Sequence, residues 1–161
     1  MVEVRPNLWD KAPGEEYFDE LFRVSKRAII WGGNYFGLPP RKNFVIYYKK
    51  NIPDGFCMAQ CEYAWTNIPG CSRVFEHFAL PDAGRFHPTQ KPAALYRWLL
   101  RKHAKPGDKI LDTHFGSGSI AVACNDMGLG LTASEIDGEY FDLACERIGL
   151  AAAQGRLDFG G

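Results

Sequence analysis

The sequence predicts an α/β protein with a doubly wound sheet, and two observations carry that prediction. After residue 92 the hydrophobic segments follow the order helix, strand, glycine-rich turn, helix, strand, helix. Parallel strands joined through helices form sheets of this kind. The chain has 161 residues, of which 46% are hydrophobic, enough for one domain with a sizeable core. We therefore expect a single domain over residues 1–161, with halves at 1–84 and 85–150 and a frayed tail at 151–161.

The first half contains one amphipathic segment and three apolar runs. Aromatic and aliphatic residues at spacings of three and four predict a helix over residues 15–24. Strands are expected at 28–31, 44–48 and 58–66. Residues 67–86 carry prolines, glycines and scattered polar residues, so we expect irregular structure there.

The second half has the clearer pattern. We expect, in order, a helix at 93–103, a strand at 109–112, a helix at 120–127, a strand at 131–136 and a helix after residue 138. Pro92 suits the first turn of the first of these helices, because its fixed φ fits a helix start. Ligands of doubly wound sheets bind beyond the carboxyl ends of the strands, which directs attention to the segments after residues 112 and 133.

A glycine-rich turn, Asp112-Thr113-His114-Phe115-Gly116-Ser117-Gly118, follows the strand at 109–112. Glycine allows close approach of backbone to a ligand, and the amides of the following helix can bind an anion. Glu135 lies 19 residues after Gly116, where a carboxylate can bind ribose hydroxyls. The segment is not a Walker loop, and Ala121 replaces the third glycine of the strict dinucleotide pattern. The spacing alone leaves three readings open: a nucleotide-like cofactor, an NAD site or a structural turn.

Charge is balanced overall but segregated along the chain. Lys plus Arg and Asp plus Glu each total 19, so the formal net charge is zero, which argues against a generic polyanion binder. Residues 23–50 nevertheless hold seven bases and no acid, and residues 85–109 hold seven bases and one acid. These two blocks form either an ordinary solvated surface or one basic face suited to phosphate contacts.

The cysteines and the hydrophobic runs bear on disulfide bonds, metal binding and the cellular compartment. Five cysteines in a chain without a secretion signal do not indicate a disulfide framework. Cys57, Cys61 and Cys71 form no CxxC pair, so no metal site is predicted. Cys124 and Cys145 fall on apolar helical positions and are expected in the core. No run reaches transmembrane length and no signal peptide is found, so we expect a cytoplasmic protein without a membrane partner.

Three segments together resemble one family. Phe86-His87-Pro88-Thr89-Gln90-Lys91-Pro92, the glycine-rich turn and Ser134-Glu135-Ile136-Asp137 are similar to the cofactor half of permuted, beta-class DNA amino-methyltransferases, which modify adenine N6 or cytosine N4. Segments 29–36 and 62–66 look like those of small phage and prophage members. The resemblance covers most of residues 9–148. It implies a Rossmann-like, S-adenosylmethionine-dependent methyltransferase fold with a doubly wound mixed sheet, circularly permuted and incomplete.

The resemblance also implies a cofactor, a partner and site residues. S-adenosyl-L-methionine is the implied cofactor, and DNA, in its double-stranded form, is the implied partner. The implied cofactor-binding residues are Asp112, Phe115, Gly116 and Gly118 around its methionine and adenosine parts, Glu135 on the ribose hydroxyls, and Thr89, Lys91 and Pro92 over the methionine end. Residues 1–84 would be the substrate side and 85–150 the cofactor side.

Three further residues are candidate lining of the substrate cleft. They are Trp31, Asn34 and Tyr35, although core packing is an equal interpretation for Trp31. His114 is interpreted as a hydrogen-bonded loop histidine rather than a base.

No catalytic residue is predicted. The family carries an Asp/Asn/Ser-Pro-Pro-Tyr/Phe motif that holds the target base, and this sequence contains no such tetrapeptide. Leu38-Pro39-Pro40-Arg41 has the two prolines alone and is expected to be a loop. The gap that a missing strand leaves beside residues 109–112 could be filled by residues 1–5, a second copy or a partner chain.

Two functional hypotheses follow. The chain is a DNA amino-methyltransferase, alone or completed by another polypeptide. Alternatively, it is a remnant that binds cofactor or DNA, or acts as a partner subunit, without methylating.

Overall fold

A computed structural model describes residues 12–78 and 85–153. The chain divides into two compact units, Met1–Ala79 and Leu80–Gly161, and each is described by itself. The substitute strand considered for residues 1–5 and most of the expected frayed tail lie outside the described residues. Among the residues that are described, no helix is long and apolar enough to cross a membrane.

The first unit is a helix followed by a four-stranded sheet. Its elements are α1 (Glu15–Val24), β1 (Ile29–Trp31), a 3-10 turn (Gly33–Tyr35), β2 (Phe44–Lys49), β3 (Cys61–Thr66) and β4 (Arg73–His77). The strand order is β1-β3-β2-β4, with β3 antiparallel to both of its neighbours and β4 parallel to β2. The predicted helix and three predicted strands are confirmed, although β3 begins at Cys61 rather than residue 58.

Strand β4 corrects the expectation that residues 67–86 are irregular. Tyr47 of β2 lies opposite Phe75, and their rings are 6.2 Å apart. Val74, on the other face of β4, is 56% exposed. The mixed polar sequence of β4 carries little hydrophobic alternation, so the strand depends on pairing with β2 rather than on local propensity.

Trp65 of β3 is the centre of the first unit's core. Its side chain is only 3% exposed, and the Phe22 ring of α1 packs 5.5 Å from it. The indole Nε1 donates a hydrogen bond to the Pro39 carbonyl at 2.8 Å, and the Arg41 guanidinium lies over the ring at 5.4 Å. The Leu38-Pro39-Pro40 segment is therefore a loop, as predicted, that packs over a buried aromatic ring.

The second unit contains α2 (Ala93–His103), β5 (Lys109–Asp112), α3 (Ser119–Met127), β6 (Gly130–Ala133) and α4 (Gly138–Ala153). Strands β5 and β6 are parallel, with Lys109 opposite Gly130 and Asp112 opposite Ala133, and α3 is the crossover between them. This confirms the predicted strand–turn–helix–strand–helix order. The described residues of this unit contain no third strand.

Helices α2 and α3 supply the second unit's core. Leu95 and Ala123 are fully buried, and Cys124 is 2% exposed. Burial raises the pKa of the Cys124 thiol to about 11, so it behaves as a small apolar side chain. Cys145, by contrast, is exposed, which corrects its assignment to the core.

Two boundaries in the second unit differ from the sequence prediction. Strand β6 ends at Ala133 rather than residue 136, because the chain turns there to begin α4: the Asp137 carboxylate accepts hydrogen bonds from the Glu139 and Tyr140 amides. Helix α4 continues to Ala153, so residues 151–153 are not part of a frayed tail. These three residues are alanines, which have the highest helix propensity.

We predict that Gly33→Ala destabilises the first unit. A Cβ at Gly33 would lie 2.4 Å from the Trp65 Cβ and 3.3 Å from the Trp65 backbone nitrogen, so a strand would have to move. We expect the free energy of unfolding to fall by about 1–3 kcal/mol, measured by urea denaturation. Gly37→Ala is the matched control, because nothing lies within 4 Å of a Cβ there. Equal midpoints for the two variants would contradict the packing described for Trp65.

Candidate functional site

The candidate site lies where β5 and β6 end. Because the two strands are parallel and Asp112 is opposite Ala133, the segments that follow them begin at one edge of the sheet. Two backbone hydrogen bonds hold these segments together: the Ser134 amide donates to the Asp112 carbonyl at 2.9 Å, and the Phe115 amide donates to the Ser134 carbonyl at 3.0 Å. The glycine-rich turn, residues 112–118, is thus fixed to the end of β6.

Both glycines of the turn adopt left-handed backbone conformations, with φ of 53° at Gly116 and 67° at Gly118. A Cβ at Gly118 would lie 3.1 Å from the Ala144 Cβ and 3.2 Å from the Phe115 ring. A Cβ at Gly116 would lie 3.3 Å from the His87 ring. Glycine is therefore required at both positions by conformation and by space.

The Glu135 carboxylate ties the turn to the start of the α4 segment. Its Oε2 accepts a hydrogen bond from the Gly116 amide at 2.6 Å, while Oε1 accepts from the Ile136 and Asp137 amides at 2.9 and 3.1 Å. A carboxylate has about four acceptor positions, so three backbone bonds leave capacity for one more donor. Glu135 both builds the turn and retains an acceptor for a ligand.

Asp112 is a poorly solvated carboxyl group at the end of β5. Burial raises the pKa of Asp112, and the Glu135 charge adds to that rise, while the hydrogen bond that the His114 amide donates to its Oδ1 at 3.1 Å opposes it. The rise reflects the desolvation of the ionised carboxylate, which electrostatic interactions with His114 and Lys91 offset only in part. A cation placed beside Asp112 would therefore be bound favourably.

The segment 85–92 covers the turn from a second direction. His87 is 8% exposed, its ring lies against Gly116, and it makes an edge contact with Tyr140 of α4 at 4.4 Å. The Thr89 amide donates to His87 Nδ1 at 3.3 Å, and the Thr89 hydroxyl lies 3.2 Å from the same nitrogen. Burial lowers the pKa of His87, so the ring is neutral at physiological pH.

The structure brings most of the predicted cofactor-binding residues to this edge of the second unit. Lys91 and Pro92 are buried, and the Lys91 carbonyl accepts a hydrogen bond from the Ser119 hydroxyl at 2.6 Å. Thr89 is exposed and bonded to His87. Phe115 packs in the core with Ala121 and Ala144, so its ring supports the turn from behind.

His114 is exposed, and its Nδ1 lies 3.1 Å from the Thr113 hydroxyl. This matches the interpretation of His114 as a hydrogen-bonded loop residue.

The three residues predicted to line the substrate cleft belong to the first unit and differ in exposure. Asn34 and Tyr35 are exposed on the 3-10 turn, and Trp31 is half-buried in β1.

Four residues that the sequence analysis did not single out for a role also shape the site: His87, Ser117, Ser119 and Arg147. The Arg147 Nη1 donates to the Ser117 carbonyl at 2.8 Å and to the Ser119 hydroxyl at 2.9 Å. A sequence signal for Arg147 existed. Residues 110–161 hold eight acids and only two bases, and this base stands three positions after the buried Ala144, on the same helix face.

Comparison with known proteins places the chain among DNA methylases. Residues 9–146 match the N6/N4 methyltransferase family, which is described as DNA methylase. The chain is 32% identical over 112 residues to the DNA adenine methyltransferase YhdJ of Escherichia coli (strain K12), a match covering 67% of this chain and 35% of that protein. It is 37% identical over 62 residues to the type II methyltransferase M.HpaI of Haemophilus parainfluenzae, covering 38% of this chain and 20% of that protein. The chain thus spans about a third or less of the length of these relatives.

Solved structures support the same fold. The M1.HpyAVI–SAM complex is 28% identical with a TM-score of 0.51, over 65% of this chain and 60% of that chain. A putative DNA modification methylase from Thermus thermophilus, complexed with S-adenosyl-L-methionine, is 21% identical with a TM-score of 0.52, over 85% and 78%. The cytosine-N4-specific PvuII DNA methyltransferase is 13% identical with a TM-score of 0.51, over 70% and 56%. These matches confirm the expected Rossmann-like methyltransferase fold.

We predict that Glu135→Gln lowers the free energy of unfolding by about 1–3 kcal/mol. The glutamine amide has one acceptor oxygen, so its NH2 group would face a backbone amide that Glu135 now satisfies. Chemical denaturation measures the effect. The matched control is Glu146→Gln on α4, an exposed position where we expect a change within about 0.5 kcal/mol. Equal stability of the two variants would show that the carboxylate does not hold the turn.

Proposed function

This chain belongs to the DNA methylase family of N6 and N4 amino-methyltransferases, and from that premise we propose that its second unit binds S-adenosyl-L-methionine for methylation of DNA at adenine N6 or cytosine N4. One observation carries the proposal: the carboxylates of Asp112, the last residue of β5, and of Glu135, which follows β6, lie at the same edge of the sheet beside the glycine-rich turn. The relative solved with this cofactor that is 28% identical supports the same assignment.

The chemistry of the turn fits this cofactor. S-adenosylmethionine carries positive charge on its sulfonium and its amino group, and hydroxyls on its ribose. Asp112, whose pKa is raised by burial, favours a cation beside it. Glu135 has one acceptor position beyond its three backbone bonds, which suits a ribose hydroxyl. A cationic ligand that also donates hydroxyl hydrogens therefore complements both groups.

The remaining residues would shape and close the site. In this proposal Gly116 and Gly118 hold the backbone close to the cofactor, with Phe115 supporting the turn from the core. Thr89, Lys91 and Pro92 lie on the segment that would close over the methionine end. The bond from Ser119 to Lys91 fixes this segment beside the turn, and the bond between Thr89 and His87 orders the segment internally.

The bound cofactor supplies an activated methyl group to an exocyclic amine of a base. The attack is direct and needs no covalent enzyme intermediate, so we assign no nucleophile to any of the five cysteines. This chain's residues would contribute by binding and orienting the cofactor, which lowers the entropic part of the barrier.

DNA, most simply double-stranded, is the proposed macromolecular partner. The basic blocks at residues 23–50 and 85–109 provide the charge that phosphate contacts require. A second copy or another polypeptide completing the sheet, and action in the cytoplasm, are part of the same proposal.

A second candidate function is cofactor binding without methyl transfer. It is favoured by one observation: none of the 161 residues forms an Asp/Asn/Ser-Pro-Pro-Tyr/Phe tetrapeptide. Incubating the protein with radiolabelled cofactor and mixed-sequence duplex DNA distinguishes the two. Label in the DNA supports the methyltransferase, whereas cofactor binding with no label in any DNA supports the second candidate.

We predict that the protein binds S-adenosylmethionine in a calorimetric titration, and that Asp112→Asn weakens this binding by about tenfold or more, because the variant loses a charge-assisted contact. Glu146→Gln is the control and should bind as the wild type does. Absence of heat at millimolar cofactor would refute the cofactor assignment, and equal affinity of Asp112→Asn would remove Asp112 from the site.

The affinity should also depend on pH. Because burial raises the pKa of Asp112, this carboxyl gains its proton at a pH above the ordinary value of 3.8, and the neutral form no longer attracts a cation. Cofactor affinity should therefore fall as the pH is lowered toward this raised pKa. Protonation of Asp112 itself favours the folded state, because its pKa is higher in the folded protein than in the unfolded chain. Circular dichroism at each pH shows whether the protein is folded where the affinity falls. Titrations at a series of pH values should show the decline in the wild type and little of it in Asp112→Asn.

A further inference from the structure

Arg147 reaches the glycine-rich turn from α4, a helix that otherwise contacts the turn through apolar packing. A single guanidinium nitrogen, Nη1, donates both to the Ser117 carbonyl at 2.8 Å and to the Ser119 hydroxyl at 2.9 Å. These residues flank Gly118, where the turn becomes α3. Arg147 therefore bonds to the residues on either side of the place where the turn ends and α3 begins.

The environment of Arg147 is unusual for a surface cation. The residue is partly buried, and burial lowers the pKa of its guanidinium, which nevertheless stays charged. Among the described residues no carboxylate lies within ion-pairing distance of it. Removing a cation from water without a counterion is unfavourable, so its hydrogen bonds to the turn are its main compensation. A salt bridge does not explain its position.

The bond to Ser117 fixes the orientation of one peptide group. In the trans peptide between Ser117 and Gly118, the carbonyl and the N–H point in opposite directions. The carbonyl faces Arg147, and the Gly118 N–H donates to the Phe115 carbonyl at 3.0 Å. This orientation accompanies the left-handed φ of 67° at Gly118 that begins α3.

Ser119 connects Arg147 to the covering segment, residues 85–92. Its hydroxyl accepts from Arg147, donates to the Lys91 carbonyl at 2.6 Å and lies 3.1 Å from the Ser117 hydroxyl. Ser119 is 3% exposed and Ser117 is 5% exposed, so these bonds are shielded from water. One guanidinium thus connects α4, the turn and the covering segment through a buried polar network.

We propose that Arg147 is a positioning residue for cofactor binding, holding the Ser117–Ser119 backbone and, through Ser119, Lys91 in the geometry that the cofactor requires. The expected effect of Arg147 on cofactor affinity rests on the proposed function. Its effect on the turn itself is independent of any ligand, which allows the two to be tested separately.

The test compares Arg147→Met with Arg97→Met in the full chain. Methionine retains much of the apolar stem and removes the donors. Arg97 is the matched control, because its guanidinium pairs with Asp126 on α3 instead of bonding to the turn. Amide hydrogen exchange over residues 115–121 reports on the turn without ligand, and calorimetric titration with S-adenosylmethionine reports on affinity. Circular dichroism at the assay temperature establishes that each variant is folded.

We expect exchange in residues 115–121 to accelerate about tenfold in Arg147→Met and to be unchanged in Arg97→Met. Cofactor affinity should fall about tenfold or more in Arg147→Met alone, as expected for the loss of bonds from a charged donor. Unchanged exchange, or unchanged affinity in a folded variant, overturns the inference. A wild type that does not bind cofactor refutes the proposed function, while the exchange comparison still decides whether Arg147 fixes the turn. If Arg147→Met does not fold, Ser119→Ala removes the bonds from Arg147 to Ser119 and from Ser119 to Lys91 while leaving the bond from Arg147 to the Ser117 carbonyl. Unchanged cofactor affinity in that variant overturns the proposed control of Lys91 through Ser119.

Discussion

The hydrogen bond from the Gly116 amide to the Glu135 carboxylate is the interaction on which the candidate site depends. It joins the ends of two parallel strands that α3 separates in sequence, and at 2.6 Å it is short enough to be charge-assisted. The bond holds the turn in the conformation that has left-handed glycines at 116 and 118 and in which α3 begins. In that conformation Gly116 also lies against the His87 ring. The parallel pairing of β5 and β6 brings Asp112 and Glu135 to one edge, and this hydrogen bond then fixes the turn against Glu135.

This constraint also explains the electrostatics. Burial raises the pKa of Asp112, and the constraint adds to that rise by holding the Glu135 charge nearby, while His114 and Lys91 oppose it. Two cations of the unit are engaged elsewhere: Arg147 binds the turn from behind, and Arg97 pairs with Asp126. In the proposed function, a positively charged cofactor would be favoured beside the Asp112 carboxylate.

Much of the fold could be predicted from the sequence, because its signals are local. The cofactor-binding residues were inferred from a family resemblance and stay a prediction. Helix α2 and strand β5 coincide with their predicted bounds, since hydrophobic periodicity and proline or glycine boundaries are properties of short segments. Strand β4 was missed because its stability comes from pairing with β2, which short segments do not encode. The hydrogen bonds of Arg147 were not predicted either, because its partners, Ser117 and Ser119, lie 30 and 28 residues away and its place on α4 alone does not identify them.

The central claim is that the cofactor binds where β5 and β6 end. It is tested most directly by adding S-adenosylmethionine to isotope-labelled protein and following the backbone amide resonances. We expect the largest shifts on residues 112–119 and 135–137, with smaller shifts in 87–92. Binding that shifts resonances elsewhere while leaving the Gly116 and Glu135 amides unchanged would contradict it.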